Sequence, residues 1–201
     1  LYTKKGDLRR AKTEYRKVLE AEKDNEKAVF YLTYILLSEG NAEEASSLFA
    51  MLDGKNLLND EMLEDYAGAL FVEGQDPSAV LARISPQKRD SLEDATKGIV
   101  RFLAGQEDEA RALFESQLEK DPENLAALSG LVRVAQREGD RETEKLRRFA
   151  LAAAFFDLKN LEKAAEEAEK VKSIDPAFLD NRRLLGDIYS GIGKKEDALR
   201  E

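Results

Sequence analysis

The pattern that decides the fold is Gly40-Asn41-Ala42-Glu43-Glu44-Ala45, because it recurs along the 201-residue chain. Each copy has a Gly, three or four mostly polar residues and an Ala. The copies begin at Gly6, Gly40, Gly74, Gly105 and Gly193, with a variant without Gly at Lys159. Their alanines fall at 11, 45, 79, 110, 164 and 198, so three of the steps are 34 residues. A fixed period of this length predicts a repeat architecture.

Each repeat predicts two helices joined by a tight turn. The Gly supplies the left-handed conformation that ends the first helix, and the polar residue after it favours the start of the second. An aromatic side chain follows the Ala by four residues at Tyr15, Phe49 and Phe114. This spacing places the small and the large side chain on one helix face. Asp121-Pro122 and Asp175-Pro176 end second helices.

In these features the chain resembles an array of tetratricopeptide repeats. The last unit carries Leu185-Gly186, Tyr189, Gly193 and Ala198 at family positions, and residues 107–124 carry Ala110, Phe114 and Asp121-Pro122. The resemblance implies an all-α fold, a right-handed α-solenoid of about six stacked helix–turn–helix units, some of them degenerate. We expect units 1 to 5 in residues 1–140 and units 6 and 7 in residues 141–201.

Two departures concern the ends and the middle of the array. The first unit is partial and the last is truncated, so we expect a piece of a longer array. Residues 53–94 are irregular, because Pro86 stops a helix after about ten residues. In the next helix the apolar residues between Leu92 and Leu103 are rotated from the family pattern. Either that helix has turned about its axis, or it presents an apolar stripe to the groove.

A third departure lies between Gly139 and Lys159, which are only 20 residues apart. Residues 141–157 read as a single helix, so about one helix of a regular repeat is missing there. One interpretation is a degenerate unit, and the other is a stretch that this sequence lacks.

The composition excludes several classes of function. The sequence has no His and no Cys, and neither a phosphate-binding glycine loop nor a catalytic triad, so we expect no enzyme, no metal site and no cofactor. The net charge is 32 − 41 = −9, which disfavours nucleic acid as a partner. Most of the excess negative charge lies in residues 41–80. These residues either bind a basic protein segment or form a solvated face.

The longest apolar runs are far shorter than the roughly 20 residues that span a bilayer. With no pattern of a targeting segment, the sequence predicts a soluble piece without a transmembrane segment. Its compartment stays open between cytoplasm and periplasm.

The family resemblance implies a scaffold or adaptor that holds a partner peptide or helix on the concave face of its first helices, without catalysis. Carrying the family's groove positions over gives Lys27, Phe30, Tyr34, Leu37, Glu61, Glu64, Phe71, Ile99, Phe102, Arg133 and Arg137. The expected partner is a protein with apolar anchors and Lys or Arg flanks. Phe30 and Tyr34 equally suit packing between repeats. The alternative function is a structural segment of a longer bacterial array that braces, or self-associates within, an envelope or secretion assembly.

Overall fold

The computed structural model describes residues 8–23 and 25–200. Within these residues the regular structure is all helical, with no β-strand, which confirms the all-α expectation. The chain divides into two compact units, unit 1 up to Ser91 and unit 2 from Leu92 onward. A repeat boundary at residue 140 stays a prediction. None of the described helices is long and apolar enough to cross a membrane.

The described residues of unit 1 form four longer helices and two short ones. They are α1 (Leu8–Ala21), α2 (Glu26–Ser38), α3 (Ala42–Asp53), α4 (Asp60–Val72), α5 (Ser78–Leu81) and α6 (Pro86–Arg89). From α1 to α5, each helix packs against the next one in the sequence.

Unit 2 follows the same helix-on-helix order. Its helices are α7 (Asp94–Leu103), α8 (Glu107–Lys120), α9 (Leu125–Glu138), α10 (Arg141–Asp157), α11 (Leu161–Ile174), α12 (Leu179–Gly191) and α13 (Lys195–Ala198). Besides neighbours in sequence, α7 packs on α9 and α10 packs on α12.

One type of turn recurs between helices in both units. Its central residue has φ between 66° and 81°, and the N–H of the next residue donates to the carbonyl five positions back, as Asn41 does to Leu36 at 2.8 Å. The turn occurs at Gly40, Gly74, Gly105, Gly139, Lys159 and Gly193. A turn with the same hydrogen bonds follows α3 at Asn56, where φ is 57°. This is the Schellman arrangement that satisfies the last carbonyls of a helix. The left-handed glycines of the repeat pattern are thereby confirmed, except Gly6, which lies outside the described residues.

The small and aromatic residues of the pattern form the core. Ala11, Ala45 and Ala110 are buried, as are the rings of Phe49 and Phe114. The small side chains allow neighbouring helices to approach closely, and the rings fill the space beside them. Tyr15 is only half-buried.

The irregular stretch between residues 53 and 94 contains less helix than the sequence predicts. Helix α5 ends at Leu81 rather than running on to Pro86, and Pro86 instead starts α6. Ser85 is extended, with ψ 150°, because the residue before a proline avoids the helical region. The carboxylate of Asp60 holds this turn on α4 by accepting bonds from the Ser85 N–H at 2.9 Å and Oγ at 2.5 Å.

Helix α7 has turned about its axis, which decides between the two interpretations of its sequence. Its apolar stripe at Leu92, Ala95, Ile99 and Phe102 is buried, and Arg101 is exposed. Residues 141–157 form the single helix α10 that the sequence predicts, and it packs on both α9 and α11.

Candidate partner-binding surface

Helix α2 buries one side and exposes aromatic side chains on the other. Asn25 caps its start by accepting a bond from the Ala28 N–H at 3.0 Å. Val29, Leu32, Ile35 and Leu36 point into the core. Opposite them, Phe30 is 38%, Tyr31 40% and Tyr34 61% exposed. We call these three residues, with the exposed Lys27, the aromatic face.

Two rings of the aromatic face, those of Phe30 and Tyr31, are held in place by each other and by α1. Tyr31 stacks on Tyr15 with ring centroids 5.3 Å apart and planes 13° from parallel. Phe30 meets Tyr31 edge-on at 5.4 Å. These are the offset and edge-to-face geometries that aromatic pairs prefer. These two rings therefore present ordered apolar area, which lowers the entropic cost of binding a partner.

Helix α4 presents exposed acidic residues at equivalent positions. The positions of α4 that lie 34 residues, or one repeat, after Lys27, Tyr31 and Tyr34 of α2 are Glu61, Asp65 and Gly68. Glu61 and Asp65 are exposed, and a Cβ added to Gly68 would meet nothing within 4 Å. Equivalent positions of stacked repeats line one surface. An aromatic row followed by carboxylates suits a segment with apolar anchors and basic flanks.

Two of the sequence-predicted site residues in unit 1 are internal. Glu64 is 7% exposed and its carboxylate pairs with the Lys88 ammonium at 3.1 Å, which holds α6 on α4. Phe71 is fully buried. Both side chains are used by the fold, so we remove them from the proposed site. Leu37 is half-buried at the edge of the aromatic face.

The four predicted residues in unit 2 do not form an open groove. Ile99 and Phe102 are buried because α7 has turned. The Arg137 guanidinium carbon lies 3.6 Å from the centroid of the Phe102 ring. Arg137 also donates to the Phe102 carbonyl at 2.8 Å and to the Glu107 carboxylate at 3.0 Å. Arg133 is half-buried, and its burial, with the charge of Arg137, lowers its pKa. We therefore also exclude these four residues from the proposed site.

Sequence reasoning missed Tyr31 as a site residue. Tyr31 was not among the positions carried over as site residues, and the contact with Tyr15 shows that its ring joins the exposed row. No group of three or more acidic, His or Cys residues in the described chain is arranged to hold a metal ion.

Comparison with known proteins identifies the repeats. Two family models, both described as Tetratricopeptide repeat, match residues 2–63 and residues 148–178. The first match covers the helices that carry the aromatic face, and the second runs from α10 through α11. No curated protein matches the chain. The repeat matches, the recurring left-handed turn and the all-helical fold agree, and the chain contains tetratricopeptide repeats.

Proposed function

We propose that this chain is a scaffold or adaptor that binds a partner protein on the aromatic face of α2, without catalysis of its own. Tetratricopeptide repeats generally mediate protein–protein interaction and are typically non-catalytic. The observation that carries the proposal is the exposure of Phe30, Tyr31 and Tyr34 on one helix. Clustered exposed apolar area of this kind marks interaction sites on soluble domains.

The chemistry of the surface defines the partner. Aromatic rings supply the buried anchors that dominate binding energy. Glu61 is exposed and makes no ion pair with the described residues, so it is available to a Lys or Arg. The partner is a peptide or helix with at least two apolar side chains and a neighbouring basic residue.

The test is affinity capture from source lysate, read by mass spectrometry. The baits are the wild-type chain, a Phe30→Ala/Tyr34→Ala variant and a Glu61→Lys variant. Glu61→Lys leaves the Glu64–Lys88 pair intact, whereas reversing Glu64 would place a Lys against Lys88. We expect one protein to be retained by the wild type and lost by both variants.

The matched control is Leu57→Ala, which removes a side chain of similar exposure, 36%, elsewhere in unit 1. It should capture the same protein as the wild type, and circular dichroism should show equal helix content for all baits. Equal capture by the wild type and by Phe30→Ala/Tyr34→Ala would refute the proposal. Capture of nothing but further copies of the chain would instead favour the structural, self-associating function.

A further inference from the structure

Ser85 is the one Ser or Thr of the sequence that stands directly before a Pro, and the other three prolines each follow an Asp. Proline-directed protein kinases phosphorylate a Ser or Thr in this position, and they prefer a Lys or Arg three residues after the acceptor. Their cleft offers no partner for a backbone N–H, which Pro lacks, and their acidic groove attracts the basic residue. Pro86 and Lys88 occupy these two positions.

The structure presents this motif on an exposed segment. Residues 82–91, which we call the Pro86 segment, lie between α5 and α7, and most of their side chains are exposed. Ser85 has φ −60° and ψ 150°, the extended conformation in which kinases bind a substrate chain. Helix α6, which follows it, is a single turn, closed by bonds from the N–H groups of Lys88 and Arg89 to the Ser85 carbonyl at 3.1 and 3.2 Å. A kinase therefore has to open one turn to bind the whole motif.

Two carboxylates of α4 hold the Pro86 segment in place. Asp60 accepts bonds from the Ser85 Oγ at 2.5 Å and from the Ser85 N–H at 2.9 Å. One turn further along α4, the buried Glu64 carboxylate pairs with the Lys88 ammonium at 3.1 Å. The two bonds from Ser85 lower the pKa of the Asp60 carboxyl, and the charge of Lys88 lowers it further. The acceptor hydroxyl is therefore itself part of the contact between the segment and α4.

A phosphate on Ser85 changes this contact from attraction to repulsion. The Oγ loses the proton that it donates to Asp60, and the phosphate brings a charge of about −1.5 to −2 against that carboxylate. The phosphate also competes with Glu64 for the Lys88 ammonium, which lies only three residues along the chain. Both contacts that hold the segment on α4 are weakened by the same modification.

We propose that Ser85 is a phosphorylation site for a proline-directed protein kinase, and that the phosphate releases the Pro86 segment from α4. In the reaction the Ser85 Oγ attacks the γ-phosphorus of ATP. The new O–P bond forms as the bond from that phosphorus to the bridging oxygen of the β-phosphate breaks, so ADP leaves and the hydroxyl proton passes to the catalytic Asp of the kinase. This reaction requires no partner on the aromatic face, so each proposal can fail without the other.

The first test is phosphorylation of the full chain by a purified cyclin-dependent kinase with ATP and Mg²⁺. Mass spectrometry of tryptic peptides locates the phosphate, which we expect on Ser85. Pro86→Ala should lower the initial rate about tenfold or more. Ser91 is the internal control, because it is exposed in the same segment but precedes Leu92. Equal rates at Ser91 and Ser85 would overturn the assignment.

A synthetic peptide of residues 80–92 separates recognition of the motif from its accessibility in the fold. We expect the kinase to phosphorylate both the peptide and the full chain. Phosphorylation of the peptide alone would show that the fold blocks the site. Phosphorylation of neither would show that the kinase does not recognise the motif, and both of these results overturn the proposal.

Hydrogen exchange tests the release of the segment. The amide protons of Lys88 and Arg89, which close α6, should exchange about tenfold or more faster in the phosphorylated chain than in the unmodified one. Ser85→Ala is the matched control, because it removes the hydroxyl bond to Asp60 without adding charge, and its exchange should increase less. In Asp60→Asn the repulsion is removed, so the phosphate should accelerate exchange less than in the wild type. Equal exchange with and without the phosphate would overturn the release.

Discussion

The ring of Phe114 occupies the space that a side chain at Gly130 would need. A Cβ placed on Gly130 would lie 2.4 Å from the Cε2 and Cζ atoms of that ring, and a Cβ placed on Gly98 would lie 2.6 Å from its Cε1. The ring is fully buried. Helix α8 therefore inserts Phe114 between the backbones of α7 and α9, which approach it at two glycines.

Gly130→Ala should lower the free energy of unfolding by about 1–3 kcal/mol, because a rigid buried ring has little room to move. Urea denaturation measures the change. The control is Gly68→Ala, where the added Cβ meets nothing and the helix gains about 0.5–1 kcal/mol. An unchanged midpoint for Gly130→Ala would contradict the close packing of Phe114.

Glu167→Gln should cost about 2 kcal/mol of stability, because its carboxylate joins two cations at low exposure. It accepts bonds from Arg148 at 2.6 Å and from Lys170 at 2.7 Å. Thermal or urea unfolding measures the loss. Glu14→Gln is the comparison, since it breaks the exposed Lys17–Glu14 pair, which solvent screens, and its effect on stability should be smaller. Equal effects of the two substitutions would show that burial adds nothing to the Glu167 contacts.

Asp94 should make stability depend on acid pH. Hydrogen bonds from Lys120 at 2.5 Å and Ser116 at 2.7 Å lower the pKa of its carboxyl below the ordinary 3.8. Because the pKa is lowered in the folded state, the ionised Asp94 carboxylate stabilises the fold fully at pH values above the ordinary pKa. This stabilisation is lost as the pH falls through the folded-state pKa. The stability difference between wild type and Asp94→Asn should therefore shrink as the pH falls below the ordinary pKa of 3.8.

Urea titrations at a series of acid pH values measure the Asp94 difference. A difference for Asp94→Asn that does not change with pH would mean that its hydrogen bonds leave the carboxyl unperturbed.

Lys159→Gly should stabilise the chain by about 0.5–1 kcal/mol. Lys159 has φ 66° where five other turns of this type have Gly, and a side chain disfavours that conformation. The comparison is Lys159→Ala, which also removes the ammonium 5.3 Å from the Phe156 ring but keeps the strained backbone. If the Gly variant is no more stable than the Ala variant in urea, the turn is not under strain.

The repeat could be predicted from the sequence because its signals are local. A glycine before a polar run fixes a turn, and an alanine four residues before an aromatic fixes a helix face, so Gly40 and Phe49 could be assigned from spacing alone. The helix at 141–157 was likewise predicted with its observed bounds.

The site was less predictable because exposure depends on packing between helices. Carrying groove positions over at fixed spacing assumes that every first helix has the same rotation. Helix α7 does not, and Ile99 is consequently buried. Glu64 is buried for another reason, because the broken helix at Pro86 places Lys88 against it. The apolar pattern after Leu92 indicated the rotation only as one of two interpretations, and this long-range ion pair has no local sequence signal.

The packing of α10 on both α9 and α11 affects how the array opens. In an ordinary repeat array, a terminal pair can detach and leave the next pair intact. Here α10 packs against the helices on both sides of it, and Arg147 additionally reaches Glu115 of α8 at 2.9 Å. Detaching α10 would expose α9 and α11 together. The amide protons from α9 to α11 should therefore exchange with solvent as one cooperative block, larger than a single repeat.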